Sequence, residues 1–416
     1  MPEPSTVTRS NAAQMARLDR NVYAVSAVSF FTDASSEMIY PLLPVFLTSV
    51  LGANASFLGV IEGAAETTAA LLKLASGWWS DRVRKRKPLI VGGYALASFV
   101  RPLIAVAQSA GQVLAIRVAD RVGKGIRGAP RDALIADSVD ESVRGRAFGF
   151  QRAADNAGAA VGPLLAFAVL TWWHTSVPAA QRLRPVFWMA AIPGIVAVIV
   201  AIVFVRERAF APERAVPKPG AALPAIVPLG KRFWAALGVI TLFTLGNSTD
   251  AFLLLRAAQL GVPVPLAPIL WAMLNVVKST TSTPGGALSD RVGRKPAVIA
   301  GWIIYALVYL LFGRATQAWQ AWALFAVYGL YFGLTEGTEK AMVADIVPAG
   351  RRGVAFGWYN LAIGIGALPA SVLFGMLWDR YGSATAFTFG AAVAGLAAIG
   401  LAIVPLGRTS EPRANG

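Results

Sequence analysis

The 416 residues are 56% hydrophobic and only 14% charged, with a positive mean hydropathy, so the chain has more apolar surface than a water-soluble core can bury; a lipid bilayer is its expected surroundings. The net charge of +16 would suit nucleic acid only if Lys and Arg formed one solvated face, but most sit in short loops, so no nucleic-acid partner is expected. Absence of Cys excludes disulfides, thiolate metal sites and Cys nucleophiles.

Residues 1–20 read as a polar tail without an apolar core or a small-residue cleavage site, so the first apolar segment is expected to direct insertion. Runs long enough to cross about 30 Å of hydrocarbon as helix lie near 21–50, 56–79, 88–108, 112–134, 147–171 and 185–205. Six more lie near 233–257, 265–288, 297–314, 319–346, 354–378 and 384–406. Their length and continuity predict twelve helices rather than the short alternating strands of an outer-membrane barrel. The fold class is therefore an all-α membrane protein built from two six-helix bundles, 21–205 and 233–406. A Pro-rich, basic linker spans 206–232 and short tails cover 1–20 and 407–416. Lys and Arg crowd the loops on the side of both termini, while Arg182, Arg184, Arg314 and Arg380 lie on the other, which predicts cytoplasmic termini.

The two bundles repeat one plan. Gly77-Trp78-Trp79-Ser80-Asp81-Arg82-Val83 returns 209 positions later as Gly286-Ala287-Leu288-Ser289-Asp290-Arg291-Val292, each followed by a basic run. Arg144-Gly145 and Ala147-Phe148-Gly149 return 208 positions later as Arg352-Gly353 and Ala355-Phe356-Gly357. Weaker echoes pair Leu51-Gly52 with Leu260-Gly261 and Ala136-Asp137 with Ala344-Asp345. A period near half the chain fits a duplicated bundle.

The repeated hairpin resembles the loop signature of the major facilitator superfamily, Gly-x-Leu-Ala-Asp-Arg-x-Gly-Arg-Arg/Lys; the first copy departs from it with Arg84 at the usual Gly. In that hairpin a small residue such as Gly77 or Gly286 lets helices approach. Asp81 or Asp290 can cap a helix or pair with Arg, and Arg82 and Arg291 hold the loop inside. Gly149, Gly158, Gly162 and Pro163 resemble the family's antiporter-associated helix-5 motif, whose last two glycines are here Ala166-Phe167. Such spacing gives a flat packing face, and the resemblance adds a bias towards export. Helix 4 resembles the family's Arg-rich motif through Arg117, Gly123 and Gly125, with Asp120 and Arg121 in place of Gln and Gly.

Charges within membrane helices are costly and mark functional candidates. Helices 1 and 2 carry Asp33, Glu37, Glu62, Glu66 and Lys73, the acids in i,i+4 pairs; helix 4 carries Arg117, Asp120, Arg121, Lys124, Arg127, Arg131 and Asp132. The two sets read as mutual counter-ions and as a substrate and proton pathway. In the family's architecture helices 1, 4, 7 and 10 line the central cavity, which the resemblance extends to Asp33, Glu37, Arg117, Arg121, Asp250, Arg256, Glu336 and Glu339. Superposing the repeats sets Arg131-Asp132 on Glu339-Lys340, which predicts gate pairs Arg131–Glu339 and Asp132–Lys340 in the state closed to the cytoplasm. His174 reads as a solvated loop residue, and Trp78, Trp79, Trp172, Trp173, Trp319 and Trp322 as interfacial anchors.

No phosphate-binding loop, metal set or nucleophile constellation supports an enzyme, a metal site or a cofactor. The expectation is a monomeric secondary transporter of a bacterial inner membrane, exporting a small organic compound in exchange for protons. The alternatives are uptake or facilitated transport of a charged metabolite, metal ion or metal chelate, and a membrane sensor without transport.

Overall fold

The computed structural model describes residues 18–83, 85–139, 143–172, 182–207, 229–347 and 352–405. His174, Trp173, most of the expected linker, residues 1–17 of the first tail and all of the second lie outside these residues, and the surroundings of Gly77, Trp78, Asp81 and Arg82 are likewise not described. The described chain forms twelve helices and no strand. In the first half these are α1 (Arg20–Ile39), α2 (Ala55–Val83), α3 (Lys87–Val100), α4 (Ala110–Ser138), α5 (Arg144–Trp172) and α6, which runs as Leu183–Met189 and Ala191–Phe204. In the second half they are α7 in two pieces (Gly230–Gly246 and Ala251–Gln259), α8 (Ala267–Val292), α9 (Arg294–Arg314), α10 (Ala318–Asp345), α11 (Arg352–Tyr381) and α12 (Ser383–Ile403). A tight 3-10 turn over Tyr40–Leu42 and a wider π-helical turn over Phe46–Val50 carry α1 onward around Pro41 and Pro44, and Arg101–Val106 extends α3. The observed helices differ from the expected segments mainly where α2, α4 and α8 run on to Val83, Ser138 and Val292. Their last turns carry charged residues that a hydropathy reading assigns to loops.

Eight of the described helices are long and apolar enough to cross a membrane by composition alone. Those that fall short are α1, α4, α8 and α10. These polar helices face the interior, where water or partners replace lipid.

Each half uses the same neighbours. α1 packs on α5 and α6, α2 on α4, and α3 on α4 and α6; α7 packs on α11 and α12, α8 on α10, and α9 on α10 and α12. The halves meet through α2 against α11 and α5 against α8, which the internal pseudo-symmetry exchanges. Glycines set the closest approaches. A Cβ at Gly158 would lie 2.3 Å from the Phe30 carbonyl oxygen, and one at Gly162 would lie 2.4 Å from that of Ala34, so α5 lies against the backbone of α1. Pro163, buried beside them, falls inside α5. Gly149, expected on the same face, is exposed with nothing near its would-be Cβ, because nine residues of helix place it on the opposite side of α5 from Gly158.

α7 breaks over Asn247–Asp250, and the freed backbone groups find side-chain partners. Tyr305 donates to the Gly246 carbonyl (3.2 Å), and the Thr249 N–H donates to Ser371 Oγ (3.3 Å). Gly158→Val is expected to destabilise the purified protein by about 1–3 kcal/mol through overpacking, whereas Gly149→Val leaves the thermal melt within experimental scatter.

Candidate functional site

The deepest polar structure is a chain of four charges within the first half. Arg117 of α4 donates from Nε and a terminal nitrogen to the two oxygens of Glu62 on α2, at 3.0 and 2.8 Å. Asp120, one turn along α4, lies 3.7 Å from Arg117 and accepts two bonds from Arg101 of α3, at 3.2 and 2.8 Å. Arg101 also donates to the Thr32 carbonyl and to Ser35 Oγ on α1. All four side chains are at most 5% exposed. Two acids and two bases, linked in two-pronged bonds, satisfy one another with little exposure to solvent. Glu62 and Arg117 belong to the two sets expected as counter-ions; Asp120 was expected only as one of the helix-4 charges, and its partner Arg101 was missed, although an Arg followed by Pro102 inside an apolar run carried the same signal.

Next to this chain, between the halves, lies a cavity of about 480 Å³. Its first-half wall includes Asp33 and Glu37 of α1, Glu66 of α2, and Arg121, Lys124 and Arg127 of α4. Its second-half wall carries Thr244, Asn247, Ser248, Thr249 and Asp250 at the α7 break, with Trp271 and Phe332. Glu37 accepts a 2.5 Å bond from Trp271 Nε1 across the interface, and Asp250 accepts one from Tyr328 (2.7 Å). Lys278 places its ammonium 3.7 Å from the centre of the Phe332 ring.

Several expected cavity and gate residues lie elsewhere. Arg256 donates to the Phe312 and Ala315 carbonyls, so it caps the end of α9 instead of lining the cavity. Glu336 pairs with Arg152 of α5 across the halves. Glu339 is 8% exposed and accepts from Trp302 Nε1 (2.8 Å) and Tyr359 (3.0 Å), two donors within its own half that hold it away from Arg131. Arg131 instead binds Asp132 (3.0 Å) and approaches Asp155 (3.9 Å); Lys340 is exposed. The expected gate pairs, assigned to the state closed on the side of the termini, are not made in this structure, in which the contacts between the halves close the opposite face.

At the face where the described chain begins and ends, the hairpin repeat has a structural counterpart. Arg294 bonds Asp290 (2.5 Å) and lies 3.7 Å from Asp345 at the end of α10, while Arg86, its equivalent, binds Asp137 at the end of α4. Glu207, not singled out in the sequence, caps α3 by accepting from the N–H groups of Arg86 and Lys87. Arg291 is exposed, and a Cβ at Gly286 would meet nothing; the close approach belongs to Gly285, where a Cβ would lie 2.1 Å from the Gly333 carbonyl oxygen.

The opposite face is closed by contacts between the halves. Asp379 of α11 accepts from the N–H groups of Ala55 and Ser56 (2.9 and 2.7 Å) and from the Ser56 hydroxyl, which places a carboxylate on the N-terminus of α2. Deeper in, the Tyr40 and Thr249 hydroxyls lie 3.3 Å apart. Arg117→Leu alone strands Glu62 and is expected to destabilise by about 3–5 kcal/mol in thermal or denaturant unfolding, while Arg117→Leu with Glu62→Leu recovers most of that loss.

Known proteins share this architecture. The family model of the Major Facilitator Superfamily matches residues 25–277 and 251–416. An uncharacterised MFS-type transporter of Methanocaldococcus jannaschii is 33% identical over 373 residues, covering 87% of this chain and 89% of its own. The inner membrane transport protein YajR of Escherichia coli is 25% identical over 364 residues, covering 86% and 77%. In the solved structure of the nucleoside transporter NupG the same fold recurs with a TM-score of 0.73 at 12% identity, covering 92% of this chain and 98% of that one. Twelve helices in two equivalent sets of six, a charged cavity between them and a family model matching nearly the whole chain lead to one assignment: the protein belongs to the major facilitator superfamily of membrane transporters.

Proposed function

We propose that the protein is a proton-coupled carrier of a small charged organic compound, working by alternating access, with the face of its termini in the cytoplasm. The observation that carries this reading is the cavity, which lies where the halves meet and concentrates its ionisable groups on one wall. The contacts of Asp379 and Tyr40 seal one side of it. Asp33, Glu37 and Glu66 are the candidate proton sites, because each lies within electrostatic reach of Lys124 and of a helix-4 guanidinium and can trade that cation for a proton.

Export rests on the helix-5 resemblance, and in this structure Gly158 and Gly162 pack α5 on α1. Uptake is favoured by the cavity wall itself. A proton taken up by Asp33 or Glu66 releases Lys124 for an anionic solute, so proton and solute bind together. In proteoliposomes with an internal pH dye, co-transport acidifies the lumen as solute enters, whereas exchange alkalinises it. Asp33→Asn, Glu37→Gln and Glu66→Gln are expected to leave solute binding measurable while at least one abolishes the response of flux to a pH gradient. Wild-type pH dependence in all three would remove these carboxylates from coupling.

The Asp379 contacts should be made only while their face is closed. Asp379→Ala removes charge-assisted bonds worth about 1.5–3 kcal/mol together, which shifts the ratio of states roughly ten- to a hundredfold towards opening. Spin labels on Thr48→Cys and Gln259→Cys, introduced into this cysteine-free chain, are expected to report a longer distance in the Asp379→Ala background. An unchanged distance distribution would show that the seal does not depend on Asp379.

A further inference from the structure

The charged groups at the first-half wall of the cavity divide into those held in direct ion pairs and those that face carboxylates only at longer range. Arg117 and Arg101 are engaged by Glu62 and Asp120. Arg121, Lys124 and Arg127, spaced three residues apart along α4, make no ion pair within 4.0 Å among the described residues. The Nε of Arg121 is buried without a hydrogen-bond partner. Arg127, 7% exposed, has one terminal nitrogen in the same condition and rests its guanidinium 4.4 Å from the centre of the Tyr94 ring. Lys124 projects into the open cavity. Buried donors without acceptors are unfavourable unless a ligand completes them, and three cations on one stripe would be filled by an oxyanion.

The surroundings limit the charge of that anion. Asp33, Glu37 and Glu66 face the same three cations from α1 and α2, and Asp250 faces the cavity from α7, so a dianion would crowd negative charge that a monoanion leaves tolerable. The opposite wall offers neutral hydroxyl and amide groups from Thr244, Asn247, Ser248 and Thr249, with the rings of Trp271 and Phe332 beside them. Resting on the carrier reading, we propose that the substrate is a monocarboxylate whose neutral, hydrogen-bonding body lies against the α7 break while its carboxylate is held by Arg121, Lys124 and Arg127. Of the three, Arg121 stands where the family's motif has Gly, and all differ from Arg117, which is already paired.

The test uses the full-length protein in nanodiscs and two matched sets of probes: glucuronate, glucose and glucosamine, and benzoate, benzyl alcohol and benzylamine. Saturable stabilisation against thermal unfolding is expected from a carboxylate member and not from its neutral or amine counterpart. Lys124→Gln is expected to weaken that binding about tenfold or more, and Lys124→Arg, which keeps the charge, to retain it within a few-fold. Lys124 projects into open space, so neither change disturbs packing; Arg256→Gln, remote from the cavity, serves as the unaffected control. The proposal fails if no carboxylate stabilises the wild type more than its counterparts, or if Lys124→Gln binds it as tightly. Flux in proteoliposomes separates the two readings. Carboxylate binding that depends on Lys124 without any flux would remove the carrier reading and keep the site. Flux of the alcohol or amine members that is indifferent to Lys124→Gln would keep the carrier and remove the site.

Discussion

A charge held at membrane depth must find a partner or reach water, and the architecture of the first half follows from that constraint. Glu62, Arg117, Asp120 and Arg101 come from three helices, and their bonds fix how α2, α3 and α4 sit together. Because the four neutralise one another, Arg121, Lys124 and Arg127 are left to the cavity. A cohesive core and a binding wall are thus two parts of one stripe of charge, separated by which residues have a carboxylate within reach.

The second half solves the same geometry with rings. Under the 208-residue register, Arg101, Arg117, Asp120 and Lys124 correspond to Tyr309, Phe325, Tyr328 and Phe332. Tyr305 stacks on Tyr309 at 4.1 Å, Tyr328 on Tyr331 at 5.6 Å, and Phe243 on Trp302 at 4.4 Å. Aromatic packing needs no counter-ion and provides hydroxyl donors for Asp250 and for the carbonyl groups freed by the α7 break. Duplication preserved the helix contacts and the Arg86–Asp137 and Arg294–Asp345 pairs, while the interiors diverged into a charged wall and a largely neutral one.

The helices and the repeat were legible because hydropathy and an internal echo are properties of the chain alone. So was the meeting of Glu62 with Arg117, since acids on one helix and bases on another have few ways to be satisfied. Reach was not legible. Arg256 and Glu339 stand on cavity-lining helices by position, yet free carbonyls at the end of α9 claim the first and Trp302 and Tyr359 claim the second. Glu207 and Asp379 escaped notice because their partners are backbone N–H groups, which leave no mark on a sequence. Gly286 stood in the motif, but the helix rotates its neighbour Gly285 onto α10.

The polar character of α4 also bears on how the chain enters the bilayer. Each Arg, Lys or Asp near the centre of a lone helix opposes insertion by about 2.5–3.5 kcal/mol, and α4 carries seven charged groups between Arg117 and Asp132. As a single segment leaving the translocation channel, it would not partition into lipid. α2 and α3 precede it in synthesis and bring Glu62 and Arg101, the groups to which it later bonds. Chain order therefore places the bonding partners of α4 ahead of it, so that Glu62 and Arg101 are already made when its charges emerge.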